Sequence, residues 1–250
     1  MLADFHNHSC LSPCGSLDMS PGLLAEIAAS KKIEILALTD HNSSLNCPAF
    51  AYHCKRLGII PVYGMEVTTQ EEVHMLALFT NLEAALSFGE YIYSIITPFL
   101  NNPAKTGDQV YVDEDDNIIG EVEYYLSNAA DIGVDALGTK TAEYSGIVIP
   151  AHVDRPAFSM TSQLGVIVHG PWAALECVRL PPLSKFGDNS SPPLNTHSFP
   201  LITGSDAHFP EHIGRRPFEL DITQEELLPL GPEKDPDIEA LKKALERRRR

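Results

Sequence analysis

The chain holds 250 residues, 44% of them hydrophobic and 21% charged, enough apolar material to bury a core. A formal net charge of −16 argues against a nucleic-acid polymer as partner, because phosphate backbones are held by clustered Lys and Arg. It leaves room for a small phosphorylated substrate whose charge is met by bound metal. The five Cys, at 10, 14, 47, 54 and 177, form no Cys-x-x-Cys pair. No targeting segment is visible, and no apolar run nears the roughly 20 residues of a membrane span. Reduced thiols, a cytoplasmic location and no membrane partner are expected.

Residues 2–7 form an apolar strand running into His6-Asn7-His8, and residues 9–20 a loop rich in Ser, Pro, Cys and Gly. Ser20-Pro21 is a helix start, N-cap then first-turn proline, for a helix to about Ser30. Ile33–Leu38 is a buried strand ending in Thr39-Asp40-His41-Asn42. A helix over 46–57 is capped by Gly58. Ile59–Tyr63 is a third strand ending in Gly64-Met65-Glu66, and Val73–Phe79, with His74, a fourth. A helix follows over about 82–99. Val110–Val112 and Ile118–Val122 flank the acidic turn Asp113–Asn117 as a hairpin insertion over about 108–123, too short for its own core.

A helix is expected over about 123–143, then a strand Gly146–Ala151 ending in His152. Leu164–Val168 and Ala174–Val178 are short strand candidates, and 181–197 a long Pro-rich loop. Phe199–Gly204 is a strand ending in Ser205-Asp206-Ala207-His208. An edge strand over Phe218–Ile222, a helix over 235–246 and a frayed tail Arg247–Arg250 complete one domain over 1–250. The oligomeric state is not legible.

Strand and helix alternate, which favours a parallel sheet or barrel. Ligand-type residues recur where apolar runs end: His6 and His8, on the same side of a strand, then Asp40 and His41, Glu66, His152, and Asp206 and His208. In a (β/α) barrel such ends converge on one face. Burying that many ionisable groups without partners is costly, so a metal cluster accounts for them better than separate core residues at five strand ends. There is no Gly-rich phosphate loop and no Gly-x-Ser-x-Gly elbow.

The ordered set His6-x-His8, Thr39-Asp40-His41, Gly64-Met65-Glu66-Val67, His74, Pro150-Ala151-His152 and Ser205-Asp206-Ala207-His208 resembles the polymerase and histidinol phosphatase (PHP) family of metallophosphoesterases. The resemblance covers nearly the whole chain. It implies an α/β fold, a distorted (β/α)7 TIM-like barrel with the small β-hairpin insertion, holding two or three divalent metal ions. Carried over by position, His6, His8, Glu66 and Asp206 hold a first ion, and Glu66, His74 and His152 a second. His41 and His208 hold a third with one ligand from the loop after the first strand. There the chain departs from the family: Ser16 stands at the matching position, and Asp18, two residues on, is the available substitute.

The chemistry expected of this set is phosphoester hydrolysis. Two ions sharing Glu66 and a water lower the pKa of that water and present hydroxide to phosphorus. Zinc, manganese and iron all suit mixed imidazole and carboxylate ligands. Catalytic roles therefore fall to Glu66, Asp206 and His208. Asp40 either orients a ligand His or caps the turn at Asn42. Arg155 either clamps the substrate phosphate or pairs with Asp154. Arg215, with Arg216, is a second phosphate candidate. His53 is placed on a helix surface, and His169, His197 and His212 fall outside the set. The expected substrate is a nucleotide or other phosphomonoester. The alternatives are an amidohydrolase-type metal hydrolase, disfavoured because Glu66 stands where a lysine is needed, and a non-catalytic metal- or phosphate-binding barrel.

Overall fold

In the computed structural model the described residues are 1–180, 196, 199–232 and 234–248. The loop expected over 181–197, apart from Thr196, lies outside them with His197, as do the last two arginines of the tail. The strands are β1 (Leu2–Asp4), β2 (Ile35–Leu38), β3 (Ile60–Thr68), β4 (His74–Phe79), β5 (Val110–Val112), β6 (Ile118–Glu121), β7 (Ile147–Pro150), β8 (Leu175–Cys177), β9 (Leu201–Thr203) and β10 (Phe218–Glu219). The helices are α1 (Pro21–Ser30), α2 (Cys47–Leu57), α3 (Leu82–Ile95), α4 (Pro103–Thr106), α5 (Val134–Glu143), α6 (Met160–Leu164), α7 (Gln224–Leu227) and α8 (Ile238–Glu246). No helix of the described residues is long and apolar enough to cross a membrane.

Strands apolar on both faces need cover on both faces. Alternate residues such as Ala3, Ile35, Ala37, Val62, Leu76 and Ile149 pack with Leu241, Ala244 and Leu245 of α8. The opposite set, including Leu36, Leu38, Met65, Met75 and Phe79, packs against Leu24, Phe50, Phe88 and Leu137 from α1, α2, α3 and α5. Each such side chain contributes about 1.5–3 kcal/mol of burial. Six strands pair in the order β10-β1-β2-β3-β4-β7, and β8 and β9 pair separately in parallel. The two sheets meet at both sides. Ala173 N–H donates to Val148 O at 2.9 Å and Val153 N–H to Glu176 O at 2.8 Å, while His8 N–H donates to Ala207 O at 2.9 Å. The sheet is thus a curled α/β sheet of TIM-like form, with the exits of β1, β2, β7 and β9 gathered together.

The repeat is not a strict β/α alternation. β4 runs antiparallel to both β3 and β7, because a tight turn closed by Thr69 N–H to Val73 O at 3.0 Å replaces a helix. β3 therefore continues through Glu66 to Thr68, where the sequence suggested an end at Tyr63. The hairpin of β5 and β6 is present. Its turn docks on α1: the Asp116 carboxylate accepts from Ser20 Oγ at 2.6 Å and Gly22 N–H at 3.2 Å.

Further expectations need correction. Helix exists only from Val134 in the stretch 123–143. The preceding residues are extended against neighbours through the bridges Leu100–Tyr124 and Ile96–Ala130. Residues 160–164 are helical, started by a Ser159/Ser162 capping box and stopped by Gly165 at φ 78°. α3 ends at Ile95, four residues before the expected limit of 99. His53 is buried, 3.5 Å from Asp116. Arg247 and Arg248 are held by Asp221 O at 2.6 Å and Leu201 O at 3.0 Å rather than frayed.

Candidate metal centre

Glu66 projects from β3 and is 1% exposed. Five imidazoles surround it. Its Oε1 lies 3.3 Å from His6 Nε2, 2.9 Å from His74 Nδ1 and 3.1 Å from His152 Nε2, and its Oε2 lies 3.4 Å from His8 Nε2 and 3.2 Å from His41 Nδ1. The extended backbone past β1 puts His6 and His8 on one side, Nε2 to Nε2 at 3.2 Å. Asp206 Oδ1 is 3.6 Å from His6 Nε2, 3.7 Å from His8 Nε2 and 3.4 Å from His208 Nδ1. His6, His8 and Asp206 form one ligand-type group, His41, Glu66 and His74 a second, and His8, His41 and His208 a third. His152 joins through Glu66.

Hydrogen bonding alone does not satisfy this set. Two carboxylate oxygens face five ring nitrogens, and the buried Nδ1 atoms of His41 and His74, though 3.2 and 2.9 Å from Glu66, make no aligned hydrogen bond with it. Such groups are costly in a core, and imidazole with carboxylate is the donor set that divalent transition ions take. The residues therefore fit bound cations. Burial and neighbouring imidazoles push His8 far down and His41 to about 3, leaving neutral rings with lone pairs to give. Burial works to raise Glu66, but His74, His6 and His41 hold it well below the usual carboxylate range.

A second layer of groups fixes these ligands. Glu176 Oε2 bonds His6 Nδ1 at 2.7 Å, which turns Nε2 toward Glu66 and Asp206. Ser12 Oγ lies 2.9 Å from His8 Nδ1 and donates to Asp40 Oδ1 at 2.7 Å. Both Asp40 oxygens also accept from Ser9, through its N–H and Oγ, each at 2.6 Å. Asp40 thus reaches the ligands through Ser12. Burial pushes it up to about 6 against these hydrogen bonds. Asp4 Oδ1 accepts from Ser205 N–H at 3.0 Å, holding the loop in which Asp206 stands at φ 48°.

Arg155 bonds Asp206 Oδ2 at 3.1 Å with its side chain 40% exposed, while buried Asp154 accepts Val178 N–H at 2.7 Å. Arg215 is spent on the backbone, with Nε to Ser205 O at 2.7 Å and one terminal nitrogen to Asp206 O at 3.2 Å. Arg216 donates to Ser205 O as well, at 3.0 Å. Ser16 N–H donates to His208 O at 2.9 Å, so this loop does border the third group. Asp18 is not brought in: it is exposed and meets Ser16 Oγ at 3.5 Å. Sequence reasoning missed Glu176, Ser12 and Asp4. For Glu176 the signal was present, a lone charge inside the apolar run Ala173–Val178.

No curated relative matches the sequence. Among solved structures, the lesion-specific endonuclease PfuEndoQ from Pyrococcus furiosus is similar over 98% of this chain and 55% of its own, at TM-score 0.60 and 19% identity. An endonuclease Q complex with a 27-mer duplex carrying an abasic lesion at the active site is similar over 98% of this chain and 56% of its own, at TM-score 0.58 and 20% identity. The chain therefore spans about half the length of these relatives. A protein from Bifidobacterium adolescentis assigned as a metal-dependent phosphoesterase is similar over 97% of this chain and 95% of its own, at TM-score 0.53 and 16% identity. The expectation of a small phosphorylated partner, with a nucleic-acid polymer disfavoured, is corrected by the similarity to an endonuclease Q whose complex holds a duplex DNA substrate. Overall charge misled because it says nothing of charge at one site. The PHP domain profile matches residues 4–139, and with the ligand clusters it supports a metal-dependent hydrolase. With more than half its length matched, the chain belongs to the PHP domain family.

Proposed function

We propose that the chain is a metal-dependent phosphoesterase whose site lies at the strand exits of one domain, a distorted seven-stranded barrel. The observation that carries this is Glu66, a buried carboxylate with five imidazole nitrogens within 3.4 Å. His6, His8, Glu66 and Asp206 would hold one divalent ion, Glu66, His74 and His152 a second, and His41 and His208, beside His8, a third; zinc, manganese and iron all suit these donors. Such ions supply an activated water and neutralise phosphoryl oxygens.

The chain's own groups do the rest. Neutral His8 and His41 offer lone pairs. Glu176 keeps the His6 proton on Nδ1. Asp40 holds Ser12 against His8. Arg155, partly exposed at the rim and bonded to Asp206 through one terminal nitrogen, would turn its guanidinium to a phosphate. Arg215 holds the Asp206 loop in place and so positions a ligand. The phosphate esters in scope include those of nucleic acid.

The test is hydrolysis by protein loaded with manganese or zinc. One arm uses an aryl phosphate and the other a duplex oligonucleotide bearing an abasic lesion. Metal-dependent phosphate release or strand scission, stopped by chelator, is the expected result. A fully metal-loaded chain that leaves both intact overturns the proposal.

A further inference from the structure

The loop that leaves His152 carries an aromatic side chain that the metal centre does not use. Phe158 lies flat on the imidazole of His74, ring centroids 4.8 Å apart and planes 18° apart, yet the residue is 40% exposed. One face of the ring covers a ligand-type histidine, so its exposure is on the side away from that ring. The backbone of Phe158 has φ 54°, a conformation that bulky side chains avoid and that persists only where surrounding structure imposes it. Here the imposition is visible. Phe158 O accepts from His74 N–H at 2.9 Å, and Ser159 Oγ donates to Arg155 O at 2.6 Å. Ser159 and Ser162 close a capping box at the start of α6. The chain thus holds a large apolar ring, in strained backbone, partly in solvent at the rim of the cluster. Single exposed apolar residues are ordinary, but they are not usually laid on a site histidine by a loop pinned at both ends.

Arg155 stands three residues earlier in the same loop, on Asp206. Glu66 lies 2.9 Å from His74, under the Phe158 ring. A phosphate at the centre would therefore have a guanidinium and an aromatic face as neighbours from one loop. We propose that Phe158 is a stacking platform for a nucleobase attached to the phosphate ester, so that the site selects nucleotide-type substrates over aliphatic phosphates. Bases of every kind have a π-face, so this selection is for a base and not for a sequence. The proposal rests on the phosphoesterase reading given above.

The test compares wild type with F158A and F158W, all metal-loaded, on a nucleoside monophosphate and on glycerol phosphate. Losing one base–aromatic stack is expected to lower the nucleotide-to-glycerol-phosphate ratio of kcat/KM about tenfold in F158A. F158W should restore it, and metal content should be equal in all three. Equilibrium binding of a nucleoside phosphonate and of methylphosphonate, neither hydrolysable, gives a second readout. The ratio of their affinities should fall about tenfold in F158A and recover in F158W. An unchanged ratio in both assays, or metal lost from F158A so that the ring is only a cover for His74, overturns the proposal. If wild type hydrolyses neither substrate and also leaves the aryl phosphate and the abasic duplex intact, the phosphoesterase reading fails, and the phosphonate ratio still decides whether the platform exists.

Discussion

Glu176 and His6 show how much of the centre depends on residues that touch no substrate. With its Oε2 on His6 Nδ1 at 2.7 Å, Glu176 sets the tautomer and the ring plane, as carboxylates behind ligand histidines do. Gly204 is part of the same arrangement, since a Cβ there would meet Glu176 Oε1 and His6 Cβ, each at 2.8 Å. Replacing Glu176 by Gln should weaken metal affinity about 10–100-fold, read by titration from a metal buffer, with far-UV dichroism unchanged. Equal affinity in E176Q would show that His6 is oriented without it. The ligand-type residues themselves were legible because each ends, or lies within, a short apolar run. Glu176 was marked only as a lone charge inside an apolar run, and its partner, 170 positions away, could not be read from that mark. Asp18 marks the opposite error. Proximity in sequence suggested a substitute for Ser16, and the loop carries it into solvent.

At the scale of elements, the antiparallel pair of β3 and β4 is where sequence and structure diverge most usefully. Glu66 was expected just past a strand end. It sits inside a nine-residue strand, opposite Leu76 of β4, because β4 returns directly and keeps pairing out to Thr68–His74. The Gly64 position allows this: a Cβ there would lie 2.2 Å from Ala77 O. Substituting Gly64 by Ala should therefore destabilise the fold by about 1–3 kcal/mol through overpacking, seen as a lower urea midpoint at unchanged slope. An unshifted midpoint would contradict so close an approach. Other elements followed local rules and were legible, among them α1 with its Ser20 cap and α2 with Gly58 at φ 71°. The stretch before Val134 was not, because distant side chains fix its conformation. Asn42 Nδ2 donates to Leu126 O at 2.7 Å and Asn128 O at 2.8 Å, contacts that no periodicity in 123–133 records.

Across the whole molecule, apolar strands bring histidines from His6 to His152 around the Glu66 carboxylate, with Asp206 and His208 beside them. The barrel-like curl was legible from the alternation of apolar runs and helices. The direct β3–β4 return was not, since a short turn and a short loop look alike in sequence. The net charge of −16 is a sum over the whole chain, buried carboxylates such as Asp4, Asp40, Glu66 and Glu176 included, and so was a poor guide to partners. The centre is what the fold is arranged to hold, and Glu66 is the residue expected to gather divalent ions there. The direct measurement is metal content by elemental analysis of wild type and E66Q, each purified and loaded identically. Two or three ions per wild-type chain are expected, with most of them lost in E66Q and the fold retained. A wild-type chain that takes up none, or an E66Q chain that keeps the full complement, would contradict that role for Glu66.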